Sequence, residues 1–370
     1  MSAPAVVLRG GPAVRAPNRA PQRAPTPDAP LVDQHGRSIE YLRVSVTDRC
    51  NLRCVYCMPA AGLPWLPKGD VLADDELVAV VDELASLGLR RVRLTGGEPT
   101  IRPGLERLVA RLAAVPGVEE LSLSTNGVRF CQDPGLARRL ADAGLGRVNI
   151  SADSLRADRV AAIARRDLGL DPVRAAELAE AAGLAPVKLN VVVVRGVNDD
   201  EVGDFARLTV DRPWAVRFIE LMPVGELAEA YGGDVLGRVV PSEEVLARAA
   251  DALAPWGGLV PLGAGQLAGN GPAGNGPAAY YGAPGAAGTV GVITPMTHTY
   301  CASCNRVRLT ADGRLRTCLY GDHEVDLRGP LRRGEPLAGH VRAALAAKPR
   351  EHALLQLRTG GLRALSQVGG

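Results

Sequence analysis

Tyr41-Leu42-Arg43-Val44-Ser45-Val46-Thr47 runs directly into Asp48-Arg49-Cys50-Asn51-Leu52-Arg53-Cys54-Val55-Tyr56-Cys57. The first half alternates apolar and polar residues with the period of two that a β-strand requires. The second half gathers Cys50, Cys54 and Cys57 at C-x3-C-x2-C spacing on a short loop after that strand. A closed structural zinc site takes four protein ligands, usually Cys or His. The nearest histidine, His35, lies upstream and outside the loop. Iron–sulfur clusters are held by thiolates, and a cubane held by only three leaves one iron open to a substrate. The stretch therefore reads as a reaction centre at the end of a strand. A zinc knuckle or a pair of redox thiols is the alternative that spacing alone leaves open.

Working outward, strands and helices alternate. Asp74 and Asp75 open a helix with Leu77, Val80, Val81, Leu84 and Leu87 on one face, stopped by Gly88. A strand at 92–95 ends in Gly96-Gly97-Glu98-Pro99. The pattern continues with helix 103–115, strand 120–124, helix 134–143, strand 147–151 and a helical stretch over 157–183. Strand 187–194, helix 200–210 and strand 216–221 complete six strands. This alternation predicts an α/β fold, a partial (βα)6 barrel of parallel strands, with right-handed crossovers curling the array. Functional side chains belong at the C-terminal strand ends, as in complete barrels, where the first cysteine triad and Gly-Gly-Glu-Pro both fall.

The organisation expected is a disordered Pro/Ala/Arg-rich tail over 1–35, the barrel over 36–235, and a C-terminal region over 236–370. Prolines at 4, 12, 17, 22, 25, 27 and 30 break any helix in the tail. Within the C-terminal region, 263–289 is a glycine-rich insert, expected as a flexible loop, in which Gly269-Asn270-Gly271-Pro272-Ala273 recurs. Its formal G-x-G-x-x-G lacks the flanking strand and helix that a dinucleotide fingerprint needs. The 370 residues carry a net charge of +3, which argues against a dedicated nucleic-acid binder. No apolar run is long enough to span a bilayer and no secretory signal is visible. Six of the seven cysteines fall in two tight groups, a pattern of metal ligation in a reducing compartment rather than of disulfides. A cytoplasmic location is expected.

The second group is Cys301-x2-Cys304 with Cys318 beyond an Ala311-Asp312-Gly313-Arg314 hairpin turn. His298 and His323 could complete a zinc site there; two triads in one chain instead favour two clusters, each with an open iron. Between the cysteines, Arg306 and Arg308 are two apart on an extended segment and share a face. Paired guanidinium groups suit phosphate oxygens.

These elements together resemble the GTP 3',8-cyclase family of the radical S-adenosylmethionine superfamily. The resemblance runs from about residue 36 to 370. It is carried by Ser45-Val46-Thr47-Asp48-Arg49, the first triad with Tyr56 and Met58-Pro59, Arg93 to Thr100, Arg217-Phe218-Ile219-Glu220, the second triad with Asn305-Arg306-Val307-Arg308-Leu309, and the terminal Gly369-Gly370. It implies two [4Fe-4S] clusters, on Cys50, Cys54 and Cys57 and on Cys301, Cys304 and Cys318, with S-adenosyl-L-methionine on the first. Tyr56, Gly97, Ser151 and Met222 are the implied S-adenosylmethionine contacts. Arg43, Arg93, Ser124, Lys188, Arg306 and Arg308 are the implied GTP contacts, with Arg93 also catalytic. The implied reaction joins ribose C3' to guanine C8, giving (8S)-3',8-cyclo-7,8-dihydroguanosine 5'-triphosphate in molybdenum cofactor biosynthesis. Implied partners are a reducing electron donor and, downstream, cyclic pyranopterin monophosphate synthase; a homodimer is left open. The terminal glycines are implied to enter the barrel mouth near Arg93. A radical enzyme modifying a peptide, its second cluster passing electrons, is the alternative.

Overall fold

The computed structural model describes residues 30–222, 234–263, 276–352 and 367–368. Six parallel strands form its centre: β1 (Tyr41–Ser45), β2 (Arg91–Thr95), β3 (Glu120–Thr125), β4 (Arg147–Ser151), β5 (Lys188–Val193) and β6 (Ala215–Glu220). Each pairs with the next in sequence. The connections carry α1 (Asp74–Ser86), α2 (Leu105–Ala113), α3 (Val128–Gln132), α4 (Leu136–Asp142), α5 (Ala157–Ala164), α6 (Pro172–Ala181) and α7 (Val202–Asp211). The α/β partial barrel expected from the alternation is the observed fold. The helical stretch expected over 157–183 is two helices. Arg165 turns left-handed (φ 52°) at the end of α5. Asp171 then caps α6, its side chain accepting from the Arg174 N–H at 2.9 Å, with Pro172 at the first helical position.

The C-terminal region joins the same sheet on both edges. β7 (Val260–Pro261), β8 (Ala279–Gly282), β9 (Thr289–Ile293), β10 (Arg306–Leu309), β11 (Arg314–Arg316) and β12 (Glu324–Asp326) complete the order β12-β11-β10-β1-β2-β3-β4-β5-β6-β9-β8-β7. β9 lies parallel to β6, and β10 lies parallel to β1. The second triad thus begins just before a strand hydrogen-bonded to the one that leads into the first. Two sequence expectations are revised. Ala279–Gly282, expected inside a flexible insert, pairs with β9 and buries Tyr280; positions 264–275 of that insert lie outside the described residues. Positions 30–35, expected in the disordered tail, are packed: Leu31 is buried, its carbonyl accepts from the Ile39 N–H at 2.7 Å, and Val32 bridges to Ser38. The remaining tail, 1–29, and Gly369 and Gly370 lie outside the described residues.

The period of two sorts the sheet. Leu42, Val44, Val92 and Leu94 are fully buried in one core with Leu77, Val80, Val81 and Leu84 of α1. Each such side chain contributes about 1.5–3 kcal/mol by leaving water. The alternate residues, Arg43 and Arg93, line a cavity on the opposite face. Among the described residues no helix is long and apolar enough to cross a membrane.

Candidate active site

The first triad is held in place by backbone bonds. The Arg53 and Val55 N–H groups donate to the carbonyls of Ala164 and Ile163 at the end of α5, at 2.9 and 3.0 Å. Those are helix-terminal acceptors that have no partner within their own helix. The loop then turns on itself, Cys57 and Met58 both donating to the Cys54 carbonyl. The Leu52 N–H donates to the Cys50 sulfur at 3.4 Å. From the other side β2 delivers Gly96 and Gly97. The Gly97 N–H donates to Thr47 O at 2.9 Å, and the Glu98 N–H donates to Arg49 O at 2.8 Å. A Cβ at Gly97 would overlap the Arg49 carbonyl and lie 2.7 Å from that of Asp48. Gly97, an implied S-adenosylmethionine contact, lines the first cavity, and its bare α-carbon also admits the backbone of the cysteine loop.

Glu98 ties the ends of β2 and β3 together. Its buried carboxylate accepts from the Thr100 N–H (3.0 Å) and hydroxyl (2.5 Å), from the Thr125 hydroxyl (2.7 Å) and from the Asn126 N–H (2.7 Å). Asn126 in turn donates to Asn51 of the cysteine loop at 2.8 Å. Sequence reasoning assigned no role to Glu98 or Asn126, although both lie in the quoted strand-end motifs. A carboxylate inside the Gly-Gly-Glu-Pro turn was the available signal.

The three cysteines line a cavity whose floor is the ends of β2, β3 and β4, and whose wall includes Leu52, Val160, Ile163 and Leu170. Tyr56 lines it too, and its hydroxyl donates to Asp153. Burial lifts the Asp153 carboxyl to about 6. Burial also pushes the Cys50 thiol up to about 12, with the Glu98 charge adding to the effect, and lifts Cys54 well above the usual thiol range. Three thiols in a low-dielectric cup become good thiolates only beside a cation. Among the described residues no group of three or more Cys, His, Asp or Glu side chains is gathered closely enough to hold a single metal ion. A cubane takes its three thiolates on three different irons and does not require that closeness. The donor set fits a cluster.

A second cavity adjoins the first, Ser124 and Ser151 lining both. Register builds it. Arg43 of β1 pairs with Arg93 of β2 on one side and with Arg308 of β10 on the other. Directly paired residues face the same way about 4.8 Å apart, and like charges so placed repel. Arg91, Arg147, Lys188, Arg217 and Arg306 extend the lining to eight cations, with no carboxylate among the lining residues described. Arg147 is bound by Glu120, and Arg91 pairs with Glu40 at 3.0 Å. The Nε–H groups of Arg217 and Arg306 are buried without an acceptor. Burial, reinforced by Arg217, Arg147 and Arg93, depresses Lys188 to about 5. Burial likewise lowers Arg93 to about 10, and lowers Arg43 further, with Arg308 and Arg93 adding to the effect. So many cations lining one cavity suit a polyanion.

The structure brings Arg43, Arg93, Ser124, Lys188, Arg306 and Arg308 to this cavity, as the sequence implied. Sequence reasoning assigned no ligand role to Arg91, Arg147 or Arg217, although each is a cation on a parallel strand. Met222, an implied S-adenosylmethionine contact, lines the cation cavity, where its sulfur accepts from the Tyr320 hydroxyl. Arg308 also donates to Val368 O at 3.2 Å, so the chain reaches this cavity two residues before its end, and Val368 is buried.

The second triad lies beside the same cavity. Tyr300, which precedes Cys301, lines it and sits under the Arg306 guanidinium at 5.0 Å. The Cys304 N–H donates to Cys301 O at 3.1 Å. Burial pushes the Cys304 thiol up, but Lys348 and then Arg306 outweigh it and hold the thiol below its usual value. His298, a candidate zinc ligand from spacing, is engaged with Glu243 at 2.8 Å.

A parallel barrel with a thiol-lined cavity at its strand ends and a cationic cavity beside it is the arrangement of a radical S-adenosylmethionine enzyme. Residues 44–209 match the family model of the Radical SAM superfamily, and 214–354 match Molybdenum Cofactor Synthesis C. The GTP 3',8-cyclase of Pelotomaculum thermopropionicum is 47% identical, covering 92% of this chain and 100% of its own. That of Moorella thermoacetica is 46% identical over the same shares. The chain belongs to the GTP 3',8-cyclase family. Among solved structures, Streptococcus suis SuiB bound to precursor peptide SuiA aligns over 90% of this chain and 77% of its own, with a TM-score of 0.53 at 13% identity. That likeness extends to the fold alone.

Cys131 stands apart from both triads, half-buried, its sulfur 3.4 Å from the Asp171 carbonyl. Cys131→Ser is expected to leave iron content and turnover unchanged. A loss of about four irons per chain would make it a ligand.

Proposed function

We infer that this chain converts GTP to (8S)-3',8-cyclo-7,8-dihydroguanosine 5'-triphosphate in molybdenum cofactor biosynthesis, with S-adenosylmethionine in the thiol-lined cavity and GTP in the cationic one. The observation that carries this reading is the junction of the two cavities at Ser124 and Ser151. At that junction a group delivered from the first cavity could reach a nucleotide held in the second. Cys50, Cys54 and Cys57 would hold a cluster that would supply one-electron chemistry at the carbon–sulfur bond of S-adenosylmethionine, and Cys301, Cys304 and Cys318 would hold a second. The chain's own residues bind, orient and exclude water, which is the protein's share where cofactors carry the chemistry. Arg43, Arg93, Lys188 and Arg308 neutralise the triphosphate and fix the ribose relative to Ser124 and Ser151. Arg217 and Arg306 offer their buried Nε–H groups to the same anion. Tyr56 and the apolar wall of the first cavity take the adenosine. A peptide-modifying radical enzyme has no use for eight cations around one closed space. The electron donor is an external one-electron reductant, and the product passes to cyclic pyranopterin monophosphate synthase.

The test is anaerobic incubation with GTP, S-adenosylmethionine and dithionite, followed by product analysis. One cyclic nucleotide should form for each 5'-deoxyadenosine. Formation of 5'-deoxyadenosine with GTP left intact would overturn the reading.

Lys188 supplies a second prediction. With its value lowered to about 5 it is neutral near pH 7 in the empty protein. The approach of a triphosphate reverses the balance set by Arg217, Arg147 and Arg93 against Glu120, and the amine takes up a proton. Calorimetry of GTP binding in buffers of different ionisation enthalpy should show uptake approaching one proton near pH 7, lost in Lys188→Met. The same depression acts on folding. Between about pH 5 and the ordinary lysine range the unfolded chain binds the extra proton, so this group's contribution to stability rises with pH across that window. Equal uptake in wild type and Lys188→Met would assign the proton elsewhere.

A further inference from the structure

The strongest group that the proposed function leaves unused is a buried lysine against the second triad. Lys348 is 2% exposed and follows helix Ala338–Ala346. Its ammonium donates to the carbonyl of Arg306 at 3.0 Å and to that of Thr317, the residue before Cys318. Its third reach is to the Cys304 sulfur at 3.6 Å. One side chain therefore contacts backbone beside two of the three cysteines and the sulfur of one. Burying an ammonium is expensive unless every donor is engaged with an acceptor or a negative charge. Two carbonyls and one thiolate meet that requirement; two carbonyls and a neutral thiol meet it poorly.

Lys348 is held from behind by a clasp that crosses the whole chain. Arg37, ion-paired with fully buried Asp33 at 2.5 Å, donates to the carbonyls of Cys301 (2.7 Å), Pro349 (2.7 Å) and Arg350 (3.0 Å). Gln34 donates to the Lys348 carbonyl at 2.9 Å. Residues 33–37 and 348–350 thus grip the backbone of the second triad from two directions. A lysine on a flexible four-carbon stem needs such anchoring if its charge is to stay at one point.

We propose that Lys348 is a positioning residue of the second metal centre, its ammonium fixing the Cys304 and Cys318 segments and setting a positive charge beside the Cys304 thiolate. The proposal rests on the second triad holding a cluster. A fixed cation at a cluster sulfur favours the more negative, reduced state, because hydrogen bonds and net charge around the sulfurs set the potential.

The test uses anaerobically purified, full-length holoenzyme with Lys348→Gln and Lys348→Arg. Gln keeps amide donors for the two carbonyls and removes the charge; Arg keeps the charge. Iron is counted, and each cluster's potential is read by spectroscopic redox titration. The first cluster is recognised as the one whose signal changes on adding S-adenosylmethionine. In Lys348→Gln the second cluster should show a reduced-to-oxidised ratio about tenfold lower at equal applied potential, a shift of about 59 mV for one electron, or be lost with about four irons. The first cluster should be unaffected. Lys348→Arg should retain the iron and less than half of that shift. A loaded, folded Lys348→Gln protein with wild-type potential would overturn the proposal, as would equal shifts in the Gln and Arg variants. If Lys348→Gln does not fold, the Arg variant decides alone: a shift as large as tenfold there is the overturning result. Wild-type protein with only about four irons would instead remove the second cluster itself, and that failure is distinct.

Discussion

Cys54→Ala is expected to abolish reductive cleavage of S-adenosylmethionine and to leave about half of the iron, with the absorbance of the second cluster in place. Cys54 sits at the centre of its loop: its carbonyl accepts from both Cys57 and Met58, and the residue lines the first cavity. A cubane on two thiolates has two irons without a protein ligand and is open to loss. The second triad lies on a different segment, fixed by Lys348 and Arg37 and not by the α5 end that holds the first. The two centres should therefore fail independently. The measurements are iron per chain, 5'-deoxyadenosine formed after dithionite, and GTP affinity. The last should persist, since the cation cavity loses nothing. Retained 5'-deoxyadenosine formation would overturn the ligand assignment.

Arg43→Ala is the complementary loss. Arg43 is the middle of the paired row Arg308, Arg43, Arg93 and lines the cation cavity. A charge-assisted hydrogen bond to phosphate is worth about 1.5–3 kcal/mol, so GTP affinity should fall about ten- to hundredfold. S-adenosylmethionine affinity and iron content should stay at wild-type values, because Arg43 lines only the second cavity. Equilibrium dialysis of both ligands under anaerobic conditions separates the cases. An unchanged GTP dissociation constant would remove Arg43, and with it the paired row, from the nucleotide site.

Much of this was legible in local pattern. Tyr41 to Thr47 declare a strand by alternation, and Leu77 to Leu84 declare a helix by its apolar stripe, because both signals depend only on neighbours in the chain. The C-x3-C-x2-C spacing carries its chemistry in the same way, three sulfurs on one short loop needing no distant partner to be recognised. What was not legible is where a residue's surroundings come from elsewhere in the chain. Met222 follows the end of β6, but the side chain it meets is Tyr320, and that contact turns it to the cation cavity. Gly97 lines the thiol-lined cavity, and its bare α-carbon also admits the Arg49 carbonyl, a contact no local pattern announces. Ala279–Gly282 looked like loop because its flanks are rich in glycine and proline; the edge of β9 supplied the hydrogen bonds that make it a strand.

The sequence by itself determined the order of strands and helices in the barrel, the two thiolate triads and the cationic character of the strand residues between them. Those are properties of composition and period, and they survive without knowledge of which strand lies beside which. Tertiary structure alone decided that β10 pairs with β1 in register, so that Arg308, Arg43 and Arg93 stand in one row. It alone placed Ser124 and Ser151 at the junction of two cavities and set Lys348 against a cysteine 44 positions earlier. The physical reason is that alternation assigns a side chain to a face but carries no information about the neighbouring strand. Like-charged residues become neighbours only when backbone hydrogen bonds across the sheet, indifferent to side-chain sign, impose the register.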